Sequence, residues 1–460
     1  MKKSLILAIA AIAMASCSSD ELVNKPTTGE TPIAFSVEKA NITRGTQKLE
    51  ATGHYNFGVW AYKYKDGLTT QQVMDNYLVG YSDGSNLGYD KTNSTTWDAN
   101  AGSLDDHKSP WFYENLGKDE YTYDGTAGYY TKDQKAYMSA NANQYLRYWD
   151  LKYTTTNFYA YAPYKASGVT FEETNKKITV DHAAQKAGYD DASLDEFMYA
   201  GASSTNDELK DVKLDFKHLG AQVNLRFYED VRGYRVEIID VTSSDNGIQA
   251  TPATKSGDTY TTAKYYTTCG ATIEYTSSTT NPTASVTNPI ATVNHDGATK
   301  VDDNLIFVIP AGTTDGLTTI TAPVTGKTYD VIPEDKKDPT TQTYAKSSTV
   351  YYPVAQPTDS EVGFTFHVSY KLIAKDNGEE ITVNDARVYV PAKSGSEFIA
   401  AWQPNTKYTY TFKITKDSTG STDPNTPNVD DPTVPATPTV YPIVFDGATI
   451  EDYTENVSNY

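Results

Sequence analysis

Leu214–Phe227 reads LDFKHLGAQVNLRF, and Phe364–Leu372 reads FTFHVSYKL. In the first, Leu214 and Phe216, then Val223, Leu225 and Phe227, take alternate positions. In the second, Phe364, Phe366, Val368, Tyr370 and Leu372 do the same. A period of two puts the apolar side chains on one face of an extended strand and the polar ones on the other. Outward from these stretches the pattern recurs at Tyr55, Phe57, Val59 and Ala61, at Val212, and at Tyr408, Tyr410, Phe412 and Ile414. Asp66-Gly67, Asp83-Gly84, Asp124-Gly125, Asn246-Gly247, Asp315-Gly316 and Asn377-Gly378 supply tight turns between them. Helical spacing is nearly absent; Ala192–Ala200 (ASLDEFMYA) predicts one short helical turn. Half-buried strands joined by turns predict an all-β chain: two tandem antiparallel β-sandwich domains, with a boundary near residue 250.

The composition agrees. Among 460 residues there are 37 tyrosines, and 39 basic groups face 59 acidic ones, a net charge of −20. Aromatic enrichment favours strands. The charge argues against nucleic acid and anionic lipid surfaces as partners.

The N-terminus predicts export. Lys2 and Lys3 precede an apolar run, Ser4–Ala15 (SLILAIAAIAMA), too short to span a bilayer. It ends at Met14-Ala15-Ser16-Cys17, which resembles a bacterial lipobox, with residues 1–16 as signal peptide and Cys17 as the acylated first residue. The alternative is ordinary secretion with Cys17 a bystander. The acidic Ser18-Ser19-Asp20-Glu21 is either a solvated tether or a signal for the outer face of the outer membrane. Only Cys269 remains, so a lipidated chain forms no internal disulfide.

No catalytic constellation emerges, and no cofactor or metal is expected. His54, His107, His182, His218, His295 and His367 stand singly, without metal-ligand spacing. Nucleophile elbows, P-loops and dinucleotide fingerprints are absent. Asp105-Asp106, Asp190-Asp191 and Asp302-Asp303 read as solvated turns rather than calcium or glycosidase sites. Trp97, Trp111, Tyr121, Tyr123, Tyr129 and Tyr130 read as packed aromatics, with sugar stacking as the alternative.

Several segments, in order, resemble the fimbrillin family, the type V pilins of Gram-negative anaerobes. They are Pro32–Phe35 with Ile42–Gly45, FYAYAPY at 158–164, EFMYAGAS at 196–203, LDFKHLGAQVNLRF at 214–227, NLIFVIPAG at 304–312 and WQPNTKYTYTFKI at 402–414. The resemblance implies transthyretin-like, Greek-key sandwiches with a detached C-terminal strand. It also implies a lipoprotein precursor, cut by an arginine-specific protease after the first strand. The strand leaves, and the C-terminal strand of another copy or a related pilin fills its groove. The subunit thereby joins a fimbria that supports adhesion at the cell surface, through a receptor the sequence does not identify.

Residues in this chain fit each step. Arg44 is the only arginine before Arg147, and Gly45 follows it. In the piece to be removed, Ile33, Phe35 and Val37 share one face, and Ile42 falls in the other phase. The Pro/Thr-rich stretch 416–439 holds five of the 21 prolines and reads as an extended linker. Beyond it, Pro442-Ile443-Val444-Phe445 echoes Pro32-Ile33-Ala34-Phe35, and the phase again shifts, from Ile443 and Phe445 to Ala448 and Ile450. The expected organisation is signal peptide 1–16, lipidated propeptide 17–44, sandwiches 45–250 and 251–415, linker 416–439 and donor strand 440–460. The reading is a shaft subunit; a tip adhesin or a monomeric glycan-binding surface lipoprotein is the alternative.

Overall fold

A computed structural model describes residues 31–37, 43–44, 47–48, 56–81, 111–113, 144–166, 168–181, 197–239, 248–256, 259–275, 286, 288–298, 300–301, 305–307, 313–315, 318–320, 328–330, 332–333, 349–351, 353–357, 362–415 and 443–452. Almost every element is a strand.

The first sandwich is built on an eight-stranded sheet. Its order is Val212–Leu214, Phe35–Val37, Trp111–Phe112, Gln71–Tyr81, Phe57–Tyr64, Thr155–Ala162, Met198–Thr205, Lys217–His218. The long Gln71–Tyr81 strand serves both halves. It pairs with Phe57–Tyr64 along its length and with Trp111–Phe112 at its end. The sheet curls there, so that Phe35 meets Phe57 and Phe158, on strands to which its own is not hydrogen-bonded. The opposite face of Phe57–Tyr64 is buried too. Trp60 stacks on Phe171 at 4.6 Å, and Tyr159 on the next strand meets Tyr275 edge-on at 4.9 Å. Phe171 and Tyr275 come with a four-stranded sheet of Ile290–Asn294, Gly270–Glu274, Lys177–Val180 and Val169–Glu172.

That double burial explains one correction. Met198–Ala200, predicted as the end of a short helix, belongs to the strand Met198–Thr205, paired with Thr155–Ala162. Met198–Ala202 are buried on both faces, so the apolar run MYA lacks the alternation that marks a half-exposed strand.

The second sandwich packs a five-stranded sheet on a seven-stranded one. The first has the order Ile332–Pro333, Ala221–Asp230, Thr406–Thr415, Ile443–Asp452, and its fifth strand, Thr349–Tyr351, also pairs with Ala221–Asp230. The other is centred on Gly363–Ala374, with Glu380–Val390 on one edge and Ile248–Ser256 and Tyr234–Ile239 on the other. Phe366 touches Phe412 at 5.1 Å and Phe364 stacks on Trp402 at 4.6 Å between the layers. Ala221–Asp230 runs parallel to its sheet neighbours Thr406–Thr415 and Ile332–Pro333. Ala221–Asp230 and Thr406–Thr415 both start at the junction with the first sandwich, where Asn405 donates its N–H to the Gly220 carbonyl at 2.9 Å. Asn405 there takes a left-handed backbone, φ 54°, which asparagine tolerates.

The sequence placed the boundary near 250. The buried clusters change over between Leu219 and Ala221, and Cys269, Ala271, Ile273, Tyr275 and Val286 return to the first cluster. A second correction concerns the C-terminal strand. It is not detached: Ile443–Asp452 lies antiparallel on Thr406–Thr415, from Ile414↔Ile443 to Thr406↔Asp452. The free edge of Thr406–Thr415 beside an apolar core supplies the partner that local sequence does not reveal.

Candidate functional site

The first strand occupies an interior slot of the first sandwich. Phe35–Val37 pairs in parallel with Val212–Leu214 on one side, and Phe35 pairs antiparallel with Trp111 on the other. Upstream, Ile33 donates its N–H to the Arg147 carbonyl at 2.7 Å, and Trp149 donates to the Thr31 carbonyl at 3.1 Å. The Tyr113 hydroxyl donates to the Ile33 carbonyl at 2.9 Å, and the Val212 N–H donates to the Ala34 carbonyl at 2.7 Å.

The side chains anchor it further. Phe35 is completely buried, with edge-on contacts to Phe57, Tyr113 and Phe158 at 5.7–5.9 Å. Ile33 and Ala34 are buried and Val37 is partly so. Burying Ile33 and Phe35 is worth roughly 1.5–3 kcal/mol each. Gln144 closes the slot wall from behind. It is fully buried; its side-chain oxygen accepts from the Leu78 N–H at 2.6 Å, and its side-chain N–H groups donate to the Leu78 carbonyl at 2.8 Å and the Tyr113 carbonyl at 2.9 Å. Nothing in its immediate sequence marked it.

Thr43–Arg44 pairs with Gln47–Lys48, Arg44 opposite Gln47, in a two-stranded hairpin belonging to neither sandwich. Cys17, Ile42 and Gly45 lie outside the described residues.

The C-terminal strand presents its pegs to the second sandwich. Ile443 is fully buried; Phe445, Ala448 and Ile450 are half-buried against the same cluster. The register shifts between Thr411 and Phe412, leaving Asp446 as the extra residue of a bulge. The change of phase from Ile443 and Phe445 to Ala448 and Ile450 falls there. Gly447 beside it has φ 134°, a conformation side chains disfavour. Asp446 accepts a 2.7 Å hydrogen bond from the Tyr228 hydroxyl. The strand stands at the end of its sheet, hydrogen-bonded along one edge. The two similar tetrapeptides are therefore held differently: interior for Pro32–Phe35, peripheral for the one ending at Phe445.

Residues considered for other chemistry serve packing. Trp111 is buried against Phe57 and offers no sugar platform. His295 bonds the Ala355 carbonyl and lies against the Tyr266 ring at a tilt, and His367 contacts the Thr251 hydroxyl. Cys269 is buried, and burial pushes its thiol up to about 12. No metal-ligating group of side chains occurs among the described residues. His54, His107, His182, the three Asp pairs, Trp97, Tyr121, Tyr123, Tyr129 and Tyr130 lie outside them.

An all-β chain with one strand buried inside a sandwich and a similar one on an outer edge defines a structural protein. The fimbrillin-like family model matches residues 111–431, and the chain belongs to that family. It is a fimbrial or adhesion subunit and not an enzyme. No curated protein matches it in sequence. Similar solved structures include a provisionally described cell-adhesion protein from Bacteroides uniformis (13% identity, 93% of this chain and 100% of the other, TM-score 0.33). Another is the fimbrial anchor protein Mfa2 from Porphyromonas gingivalis (9% identity, 92% and 97%, TM-score 0.23). The family match includes neither Pro32–Val37 nor Ile443–Asp452.

Proposed function

We propose that the chain is a shaft subunit of a surface fimbria, exported as a lipoprotein on Cys17, cut after Arg44 and polymerised by strand exchange. The observation that carries this reading is the contrast between the two strands. The first is flanked by strands on both sides, so its departure opens a slot with two unpaired edges and an apolar floor under Phe57 and Phe158. Among the described residues the last is paired on one edge only, with Phe445 half-exposed. Moving a neighbour's Ile443 and Phe445 into the places of Ile33 and Phe35 adds a second hydrogen-bonded edge and completes burial of a phenylalanine.

Release from its own sheet is the cost. The bulge at Asp446 and the single paired edge keep that cost moderate. The stretch 416–442 extends up to roughly 3.3–3.6 Å per residue, ample to reach another subunit. Arg44, on a short two-stranded ladder that joins neither main sheet, suits an arginine-specific protease.

The test is the N-terminus of the protein at the cell surface, read alongside Arg44→Ala. Gly45 as first residue, with SDS-resistant ladders that disappear in the variant, is the expected result. A lipidated Cys17 terminus on the assembled wild-type protein overturns the cleavage step and favours a lipoprotein that stays monomeric.

A further inference from the structure

Among the described residues four large apolar side chains are exposed, and three of them sit at one end of the first sandwich. They are Leu68, Leu151 and Leu209, exposed by 37%, 63% and 37%; the fourth is Ile290. The register puts them together. Leu68 lies in the turn between Phe57–Tyr64 and Gln71–Tyr81, Leu151 just before Thr155–Ala162, and Leu209 just after Met198–Thr205. Tyr64 pairs with Thr155, and Thr155 with Thr205, so all three turns leave the sheet at the same end.

The turns are tied to one another. Tyr153 donates its hydroxyl to the Thr69 carbonyl at 3.2 Å, and Asn206 donates its N–H to the Thr154 carbonyl at 2.9 Å. The buried Asn206 side chain donates to the Asp150 carbonyl at 2.9 Å and accepts from the Thr156 hydroxyl at 2.8 Å. Exposed leucines on cross-braced loops make a preformed surface rather than a ragged end.

We infer that this end is the docking surface for a second copy of the chain, contacted by the outer end of that copy's second sandwich. The inference rests on the strand-exchange reading and adds a body-to-body interface to it. Two features of the topology select the occupant. The slot opens here: Thr31 is bonded to Trp149, two residues before Leu151, and the first strand runs parallel to Val212–Leu214, away from Leu209. A replacement strand running the same way enters at the leucines, with its own body behind it.

The second feature is where that strand's tether starts. Thr406–Thr415 begins at the junction of the two sandwiches and ends at Thr415, opposite Asp230, at the far end of the second. The tether of each copy thus leaves from one extremity, and the slot opens at the other. Head-to-tail contact follows, and it buries the leucines.

The test compares Arg44-cleaved full chain with the variant Leu68→Ser, Leu151→Ser, Leu209→Ser, and with the Leu→Met triple at the same sites. The readouts are polymerisation rate and binding of a 440–460 peptide at concentrations too low for assembly. The serine triple is expected to melt like the wild type, bind the peptide unchanged, and polymerise about tenfold more slowly. The methionine triple is expected to assemble normally. Polymerisation of the serine triple at the wild-type rate overturns the interface while leaving strand exchange intact. Loss of peptide binding in the serine triple also overturns it, because the leucines would then shape the slot. A cleaved wild type that neither binds peptide nor assembles removes the strand-exchange reading, and this inference with it.

Discussion

Phe35 and Phe158 meet edge-on, 5.8 Å between ring centroids, although three strands separate theirs in the sheet. The contact reaches across the interior that the curled sheet encloses. The first strand is therefore a structural part of the uncut protein, and its side chains contribute to folding.

Phe35→Ala should accordingly cost the uncut protein about 3–5 kcal/mol, the range for truncating a buried aromatic. The same substitution should leave the stability of Arg44-cleaved, strand-exchanged protein unchanged. Urea unfolding of both forms checks this. An equal loss in both means the first strand stays in place after the cut.

Deleting 440–460 now has a structural consequence that a detached tail would not have. It strips Ile443 from the second core and unpairs the edge of Thr406–Thr415. Losing Ile443 and the half-burial of Phe445 and Ile450 should lower the stability of the second sandwich by roughly 2–5 kcal/mol. Trp402, fully buried there, is the fluorescent reporter. An unchanged Trp402 transition would mean the strand does not rest on its own sheet in solution.

The parts of this architecture that sequence reveals are those with a local signature. Phe57, Val59, Val223, Leu225, Phe364 and Phe366 alternate because one face of each strand meets a core, and all are buried. Where both faces are covered, as at Trp60, Tyr159 and Met198, alternation disappears and the helix predicted at 192–200 resulted. Pairing between distant segments leaves no local trace. The return of Ala271 and Ile273 to the first core was invisible for that reason, as was the docking of Ile443 beside Ile414. In the candidate site, the pegs of both strands were legible from their spacing, whereas the role of Gln144 and the gathering of Leu68, Leu151 and Leu209 at one end emerged only from the fold.

The tyrosines predict a pH limit. Burial pushes Tyr161, Tyr199 and Tyr408 up to about 12, against an ordinary 10.0. It pushes Tyr265, Tyr275 and Tyr410 well above the ordinary value too. Each hydroxyl keeps its proton longer in the folded chain than in the unfolded one. Their contribution is therefore complete below pH 10 and falls as pH rises through the folded values. Stability should be insensitive to these groups near neutrality and drop steeply between pH 10 and 12. Tyrosinate absorbance should show the buried set ionising only as the far-ultraviolet dichroism is lost. Ionisation of all tyrosines near pH 10 in folded protein would contradict the packing of both cores.

The donor strand can be tested without the complication of its resting place. Protein lacking 440–460 presents two vacancies in succession. Before cleavage the first strand fills its slot, and only the Thr406–Thr415 edge is open. After cleavage at Arg44 and loss of that strand, the slot is open as well. A 440–460 peptide should bind the uncut truncated protein once and the cut protein twice, with the second site the tighter because it pairs both edges of the strand. A peptide carrying Ile443→Asp and Phe445→Asp should bind neither, since each site would have to bury an unpaired carboxylate, a cost of several kcal/mol. Calorimetric titration gives the stoichiometry directly. One site before and after cleavage would show that the peptide recognises only its own sheet, and strand exchange between subunits would then have no receptor in this protein.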